Sequence, residues 1–151
     1  MARIPPVEQT FYYAAPPAEV FAALTEPKEL TKWFLEKAAI TLRKGGAFKF
    51  TWLGGFSMKG KVKSVASPKQ LVLNWVDRLP DGKLYETVAQ FDLQKKGKGT
   101  LLTVTHRGFK KGRKWIGLYG AVQSGWAYYL TNLRSLLEHG VDLRSGQDAL
   151  S

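Results

Sequence analysis

Polar and hydrophobic positions alternate through the middle of this 151-residue chain, and the period changes near its end. Phe48, Phe50 and Trp52 alternate with Lys49 and Thr51. Phe56, Met58, Gly60 and Val62 alternate with Ser57, Lys59, Lys61 and Lys63. A period of two marks strands with one apolar and one wet face. Leu71, Leu73 and Trp75 share a face of the next strand, and Tyr85, Thr87, Ala89, Phe91 and Leu93 share one of a longer strand. Leu102, Val104 and His106 end the run. Ahead of these, Val7 to Ala14 and Ala38 to Arg43 read as further strands. Lys44-Gly45-Gly46, Leu53-Gly54-Gly55, Ser67-Pro68-Lys69, Leu79-Pro80-Asp81-Gly82 and Lys95 to Gly99 supply turns.

Two stretches depart from that period. Pro16-Pro17 opens a short helix through Leu24, and Pro27 starts another turn of helix over Lys28 to Phe34. From Arg113 to Glu138 the apolar positions recur at steps of three and four: Trp115, Tyr119, Val122, Trp126, Tyr129 or Leu130, Leu133 and Leu137. A helix of about 26 residues would be roughly 39 Å long, enough to span six or seven strands. Gly140 fits as its C-cap, and the polar tail after Asp142 is expected to fray. The order is strand, two short helices, about six strands and one long helix. This is an α+β pattern in which the terminal helix must cover the apolar face of an antiparallel sheet.

Length and composition add limits to this outline. The chain suits one domain, 1–151. It has no Cys, no apolar N-terminal signal segment and no run long enough to span a membrane, so a soluble cytoplasmic protein is the expectation. Five Trp, six Tyr and eight Phe exceed what a minimal core needs, and aromatics also line pockets. The formal net charge is +11. Lys37 to Val76 and Leu93 to Leu137 each hold basic residues and no acid. Such a surface attracts anions, although charge alone speaks to encounter and solubility rather than to function.

The ordered features resemble a known family. Pro16 through Phe21, Pro27 with Trp33, Lys44-Gly45-Gly46 leading into Phe48 and Phe50, and Gly60-Lys61-Val62 followed by Pro68, Leu71 and Trp75 carry the likeness. So do Thr103 to His106 with Gly108-Phe109, and Gly125-Trp126 ahead of Leu130, Leu133 and Leu137. Together they resemble the activator of heat-shock protein 90 ATPase homologue-like family, within the START-like (SRPBCC, polyketide cyclase-like) superfamily, over about Val7 to Gly140. The resemblance implies a helix-grip fold: a curved sheet around the C-terminal helix, with a cavity between them. It implies binding of a hydrophobic small molecule in some relatives, chaperone association in others and catalysis in a few. A stress-response role goes with the second.

Candidate residues follow from face and position. Phe48, Phe50, Trp52, Phe56, Met58, Trp75 and Tyr85 should meet Trp115, Tyr119, Val122 and Trp126, as either a filled core or the wall of a ligand cavity, with Trp33 beside them. His106 falls on the inward parity, as a polar anchor, a base or a hydrogen-bonded structural histidine. Gly117, Gly120 and Gly125 each cost a helix up to about 1 kcal/mol relative to Ala. Close approach to the sheet or a flexible half-helix would account for them. Lys49, Lys59, Lys61 and Lys63 form one basic surface, and Lys110, Lys111, Arg113 and Lys114 cluster at the start of the long helix.

Enzyme chemistry finds little footing. Two separate histidines and no Cys make no metal set, and neither a G-x-S-x-G nor a Walker loop occurs. Glu86 points outward, and no cofactor is implied. Nucleic acid is not expected, because the aromatics lie on the face opposite the charges. The leading expectation is a non-enzymatic domain that binds a hydrophobic or amphipathic small molecule between sheet and helix. A continuous cavity above roughly 300 Å³ would support it. The alternatives are a co-chaperone-like partner of an Hsp90-type ATPase, and a cyclase- or hydrolase-like enzyme.

Overall fold

A computed structural model describes residues 3–146. Strand β1 (Val7–Tyr13) is followed by helices α1 (Pro17–Thr25) and α2 (Pro27–Leu30), each with Pro at its start. Then come β2 (Lys37–Ile40), β3 (Ala47–Thr51), β4 (Ser57–Ala66), β5 (Gln70–Arg78), β6 (Leu84–Lys96) and β7 (Gly99–Arg107). The long helix α3 (Arg113–His139) and a 3₁₀ turn (Leu143–Gly146) close the described chain. No described helix is long and apolar enough to cross a membrane.

The seven strands form one antiparallel sheet in the order β1-β7-β6-β5-β4-β3-β2. This is a curved, helix-grip-like α+β arrangement with short helices after the first strand. Meander pairing joins β2 to β7 in sequence, and β1 closes the far edge against β7. The register sets Phe48 opposite Gly60, Leu73 opposite Ala89, and Ala89 opposite His106. One face therefore carries Phe50, Met58, Leu73, Trp75, Phe91 and Leu102, all buried. Gly60 is required where it stands. An added Cβ would lie 2.5 Å from the Asn74 carbonyl oxygen and 2.6 Å from the Phe48 ring.

Three local expectations are corrected. β2 ends at Ile40 rather than Arg43, because Thr41 to Gly46 closes in turn hydrogen bonds and Gly45 takes φ 82°. The helix begun at Pro27 lasts one turn, and Thr31 to Phe34 continues as turns that deliver Trp33 and Phe34 to the core. The chain does not fray from Asp142. Arg144 is buried, pairs with Asp142 at 3.0 Å and donates to the carbonyl oxygens of Leu35 and Thr31. The rest of the tail, 147–151, lies outside the described residues.

α3 passes closest to β1. Its C-terminal half is firmly seated. Leu130 and Leu133 are fully buried, Tyr13 Oη donates to the Leu130 carbonyl at 2.8 Å, and Asn132 Nδ2 donates to the Trp33 carbonyl at 2.8 Å. Gly140, in the left-handed region, caps the helix through its N–H to Leu136 and Ser135.

Candidate functional site

The N-terminal half of α3 is held differently. A Cβ added at Gly117, Gly120 or Gly125 would meet nothing within 4 Å. Close approach to the sheet therefore does not account for these glycines. Space remains beneath this half, as a cleft of about 250 Å³ open to solvent. Trp75 and Asp77 of β5, Trp52 and Phe56 flanking the β3–β4 turn, and Phe34 after α2 line one side. Leu118, Ala121, Val122, Gly125, Trp126 and Tyr129 of α3 line the other. The volume falls short of the roughly 300 Å³ at which drug-sized pockets begin. It suits a ring or a short branched group.

Six aromatic rings enclose this space, and they brace one another. Phe34 lies 4.9 Å from Tyr129 and 5.6 Å from Trp126, centroid to centroid. Trp75 lies 5.3 Å from Trp126 and 6.0 Å from Trp52. Phe56 is 53% exposed and packs on Trp52 at 5.4 Å, which sets it at the mouth.

Asp77 is the one charged group in the lining. Its Oδ2 is buried and accepts no hydrogen bond. Burial alone pushes this carboxyl up to about 6, because a charge out of water without a counter-charge is disfavoured. Asp77 is not among the residues expected from the sequence. The signal was present: it continues the inward parity of Leu71, Leu73 and Trp75 by one more step.

His106 sits behind the cleft. It is fully buried. Trp126 Nε1–H donates to His106 Nδ1 at 3.0 Å, so Nδ1 must be the unprotonated nitrogen. Nε2–H then donates to Thr87 Oγ1 at 2.7 Å, and Thr87 passes its own hydroxyl hydrogen to the Trp75 carbonyl at 3.3 Å. Burial holds His106 down at about 3. Protonation would set two N–H donors against each other at Nδ1. This histidine is consumed in fixing Trp75 and Trp126, two walls of the cleft, and does not line it.

The remaining candidates divide among four places. Trp52, Phe56, Trp75, Val122 and Trp126 meet at the cleft. Trp33, Phe48, Phe50 and Met58 are buried as filled core, with Trp33 Nε1 donating to the Ala23 carbonyl at 2.9 Å. Trp115 and Tyr119 pack around Phe109, beside a second hollow that includes Ile4, Lys110, Lys111 and Ile116. Tyr85 stacks edge-on to Trp115 at 5.2 Å and donates through its hydroxyl to Asp81 at 2.7 Å. Gly125, singled out for its helix cost, also lines the cleft, and its further walls, Phe34, Leu118, Ala121 and Tyr129, are not among the candidate cavity residues.

The basic residues are also unequal. Lys49 and Lys59 face each other across β3 and β4, with Lys61 beside them, along a groove of about 930 Å³ on the outer sheet face. Glu86 lines the same groove. Lys63 is exposed beyond it, and Lys110, Lys111 and Arg113 are exposed near the start of α3. Lys114 is not a free cation. It pairs with Asp81 at 3.1 Å and with Tyr85 Oη at 2.8 Å. The Lys83 backbone N–H and the Tyr85 hydroxyl in turn hold the Asp81 carboxyl at about 2.

Comparison with known proteins agrees with this geometry. Residues 14–138 match the family described as Activator of Hsp90 ATPase homolog 1-like protein. No curated protein sequence matches the chain. Among solved structures, the Aha1 dimer from Colwellia psychrerythraea is 22% identical, with TM-score 0.74 over 91% of this chain and 98% of that one. PFC0360w, an HSP90 activator from Plasmodium falciparum, is 24% identical, with TM-score 0.72 over 89% and 96%. CalU16 from Micromonospora echinospora is 26% identical, with TM-score 0.68 over 88% and 76%.

Proposed function

Because this chain belongs to the Activator of Hsp90 ATPase homolog 1-like family, with a helix-grip sheet open beneath half of its long helix, we propose that it binds a small hydrophobic or amphipathic molecule in that cleft. The observation that carries this reading is the aromatic-lined space between β5 and the Leu118–Tyr129 stretch of α3. Apolar ligand surface buried there contributes about 25 cal/mol per Å². The rings are already braced, so little ordering cost remains to be met on binding. We take the whole chain as one binding domain working in the cytoplasm.

The test is native mass spectrometry of the protein purified from its own host, beside a Gly125→Leu variant that fills the cleft from the helix side. A small-molecule adduct on the first and none on the second is expected. A clean apo mass from both would overturn the reading.

A second reading rests on the outer face. Lys49, Lys59 and Lys61 line a broad groove that suits an acidic protein surface, and two of the similar structures are an Aha1 and an HSP90 activator. Capture of an Hsp90-type ATPase that is lost in a Lys49→Glu, Lys59→Glu variant would favour this co-chaperone role. For a cyclase- or hydrolase-like activity, Asp77 is the carboxyl among the described cleft residues that would serve as acid or base.

A further inference from the structure

The chemistry of the cleft constrains what enters it. A buried carboxylate oxygen without a donor or counter-charge is a cost to the folded protein. The chain has 23 Lys and Arg residues, yet none makes an ion pair or hydrogen bond with Asp77 among the described residues. The cleft that Asp77 lines is otherwise walled by apolar groups and six aromatic rings, Trp52, Trp75 and Trp126 among them. Aromatic faces attract cations, Trp most strongly. A site for an anion, built on a chain of net charge +11, would have had lysines available and would not carry an acid.

We propose that the cleft recognises an organic cation, an amphipathic amine or quaternary ammonium whose nitrogen lies against Asp77 and whose apolar part lies among Trp52, Trp75 and Trp126. This rests on the cleft being a ligand site and names the class of ligand. The positive charge supplies the counter-charge that the Asp77 carboxylate lacks, and the rings replace the water lost from the alkyl groups on nitrogen. A cleft of about 250 Å³ holds such a head group with one attached ring or short chain. Any longer chain leaves past Phe56. Asp77 is ionised above its raised value of about 6, so the charge is present at neutral pH.

The experiment compares three probes of similar size by isothermal titration calorimetry at pH 7.5: benzyltrimethylammonium, its neutral isostere neopentylbenzene, and phenylacetate. The quaternary nitrogen donates no hydrogen bond, so any preference for it reads charge and not donor chemistry. Binding of the cation on the order of tenfold tighter than the neutral isostere is expected, with phenylacetate weakest. In Asp77→Asn the two uncharged-site affinities should converge while both probes still bind. If neopentylbenzene binds wild type as tightly as the cation, the inference fails and the cleft remains a ligand site. If none of the three binds, the cleft reading fails with it. The wild-type comparison stands whether or not the variant folds.

Discussion

The two halves of α3 share one helix and one sheet but solve different problems. From Trp126 to Leu137 the helix is bolted down by Leu130, Leu133, the Tyr13 hydroxyl and Asn132. From Arg113 to Gly125 it carries three glycines with empty space around their α-carbons. It is held there by Lys114 on Asp81 and Tyr85, by Trp115 and Tyr119 against Phe109, and by Gln9 on the Gln123 carbonyl. Propensity does not explain the contrast, since both halves are helical. Burial does. The later half buries Trp126, Leu130 and Leu133 and lends Trp126 and Tyr129 to the cleft. The earlier half buries Trp115 and otherwise roofs the cleft, and local stability follows the number of buried apolar groups.

The sharpest test of that contrast is truncation. Leu133→Ala should lose about 3 kcal/mol, as removal of a fully buried leucine does, whereas Val122→Ala on the cleft wall should lose less than about 1 kcal/mol. Urea denaturation measures both. Equal losses would erase the distinction. Amide exchange offers the same comparison without mutation. Leu130 to Leu137 should exchange near the global unfolding rate, and Trp115 to Gly125 should exchange faster.

A smaller effect comes from His106, which ties the roof to the sheet. Its folded value is depressed to about 3, below the ordinary 6.5. The unfolded chain therefore takes up a proton that the folded chain refuses. Stability is fully present above about 6.5 and falls as pH drops, by about 1.4 kcal/mol per pH unit. Asp77 acts on wild type and variant alike, so the stability difference between wild type and His106→Gln isolates the histidine. That difference should shrink by about 1.4 kcal/mol per unit as pH falls from about 6.5 to 5, read by denaturation of both.

Asp77 works in the opposite sense. Its folded value is raised from 3.8 to about 6. The folded protein thus holds the proton more tightly than the unfolded chain, and stability is lost as pH rises from about 4 through 6. Asp77→Asn should be more stable than wild type at pH 8 by about 1–2 kcal/mol, with the gap closing below pH 4. Thermal melts across that range measure it. The smallest changes are Gly117→Ala and Gly120→Ala, each adding up to about 1 kcal/mol, because the helix gains propensity and the new methyl meets no neighbour.

Periodicity made most of this legible. The strand faces from Phe48 to Leu102 and the helix from Arg113 follow from runs of period 2 and 3.6, which are local in sequence. The cleft was legible only in part, for reasons particular to each residue. Asp77 closes the parity of β5, but an acid interrupts an apolar run and the face was read as ending at Trp75. Phe34 is expected as the last residue of a helix begun at Pro27, and only the turns after α2 swing it between Trp52 and Tyr129. Whether the aromatic face was filled or open depends on where the helix sits relative to the sheet, a long-range quantity that spacing does not contain. It proves to be both: Phe48 and Phe50 are packed solid, while Trp52 and Trp75 border space.

The distribution of tryptophans has an optical consequence. Three of the five, Trp52, Trp75 and Trp126, line the cleft, while Trp33 is sealed away with its indole N–H on the Ala23 carbonyl. A molecule bound there, as proposed, would change the surroundings of the first three and leave those of Trp33 unaltered. The protein thus carries its own fluorescent indicator together with an internal reference, and titrations can be followed by emission without attaching a dye.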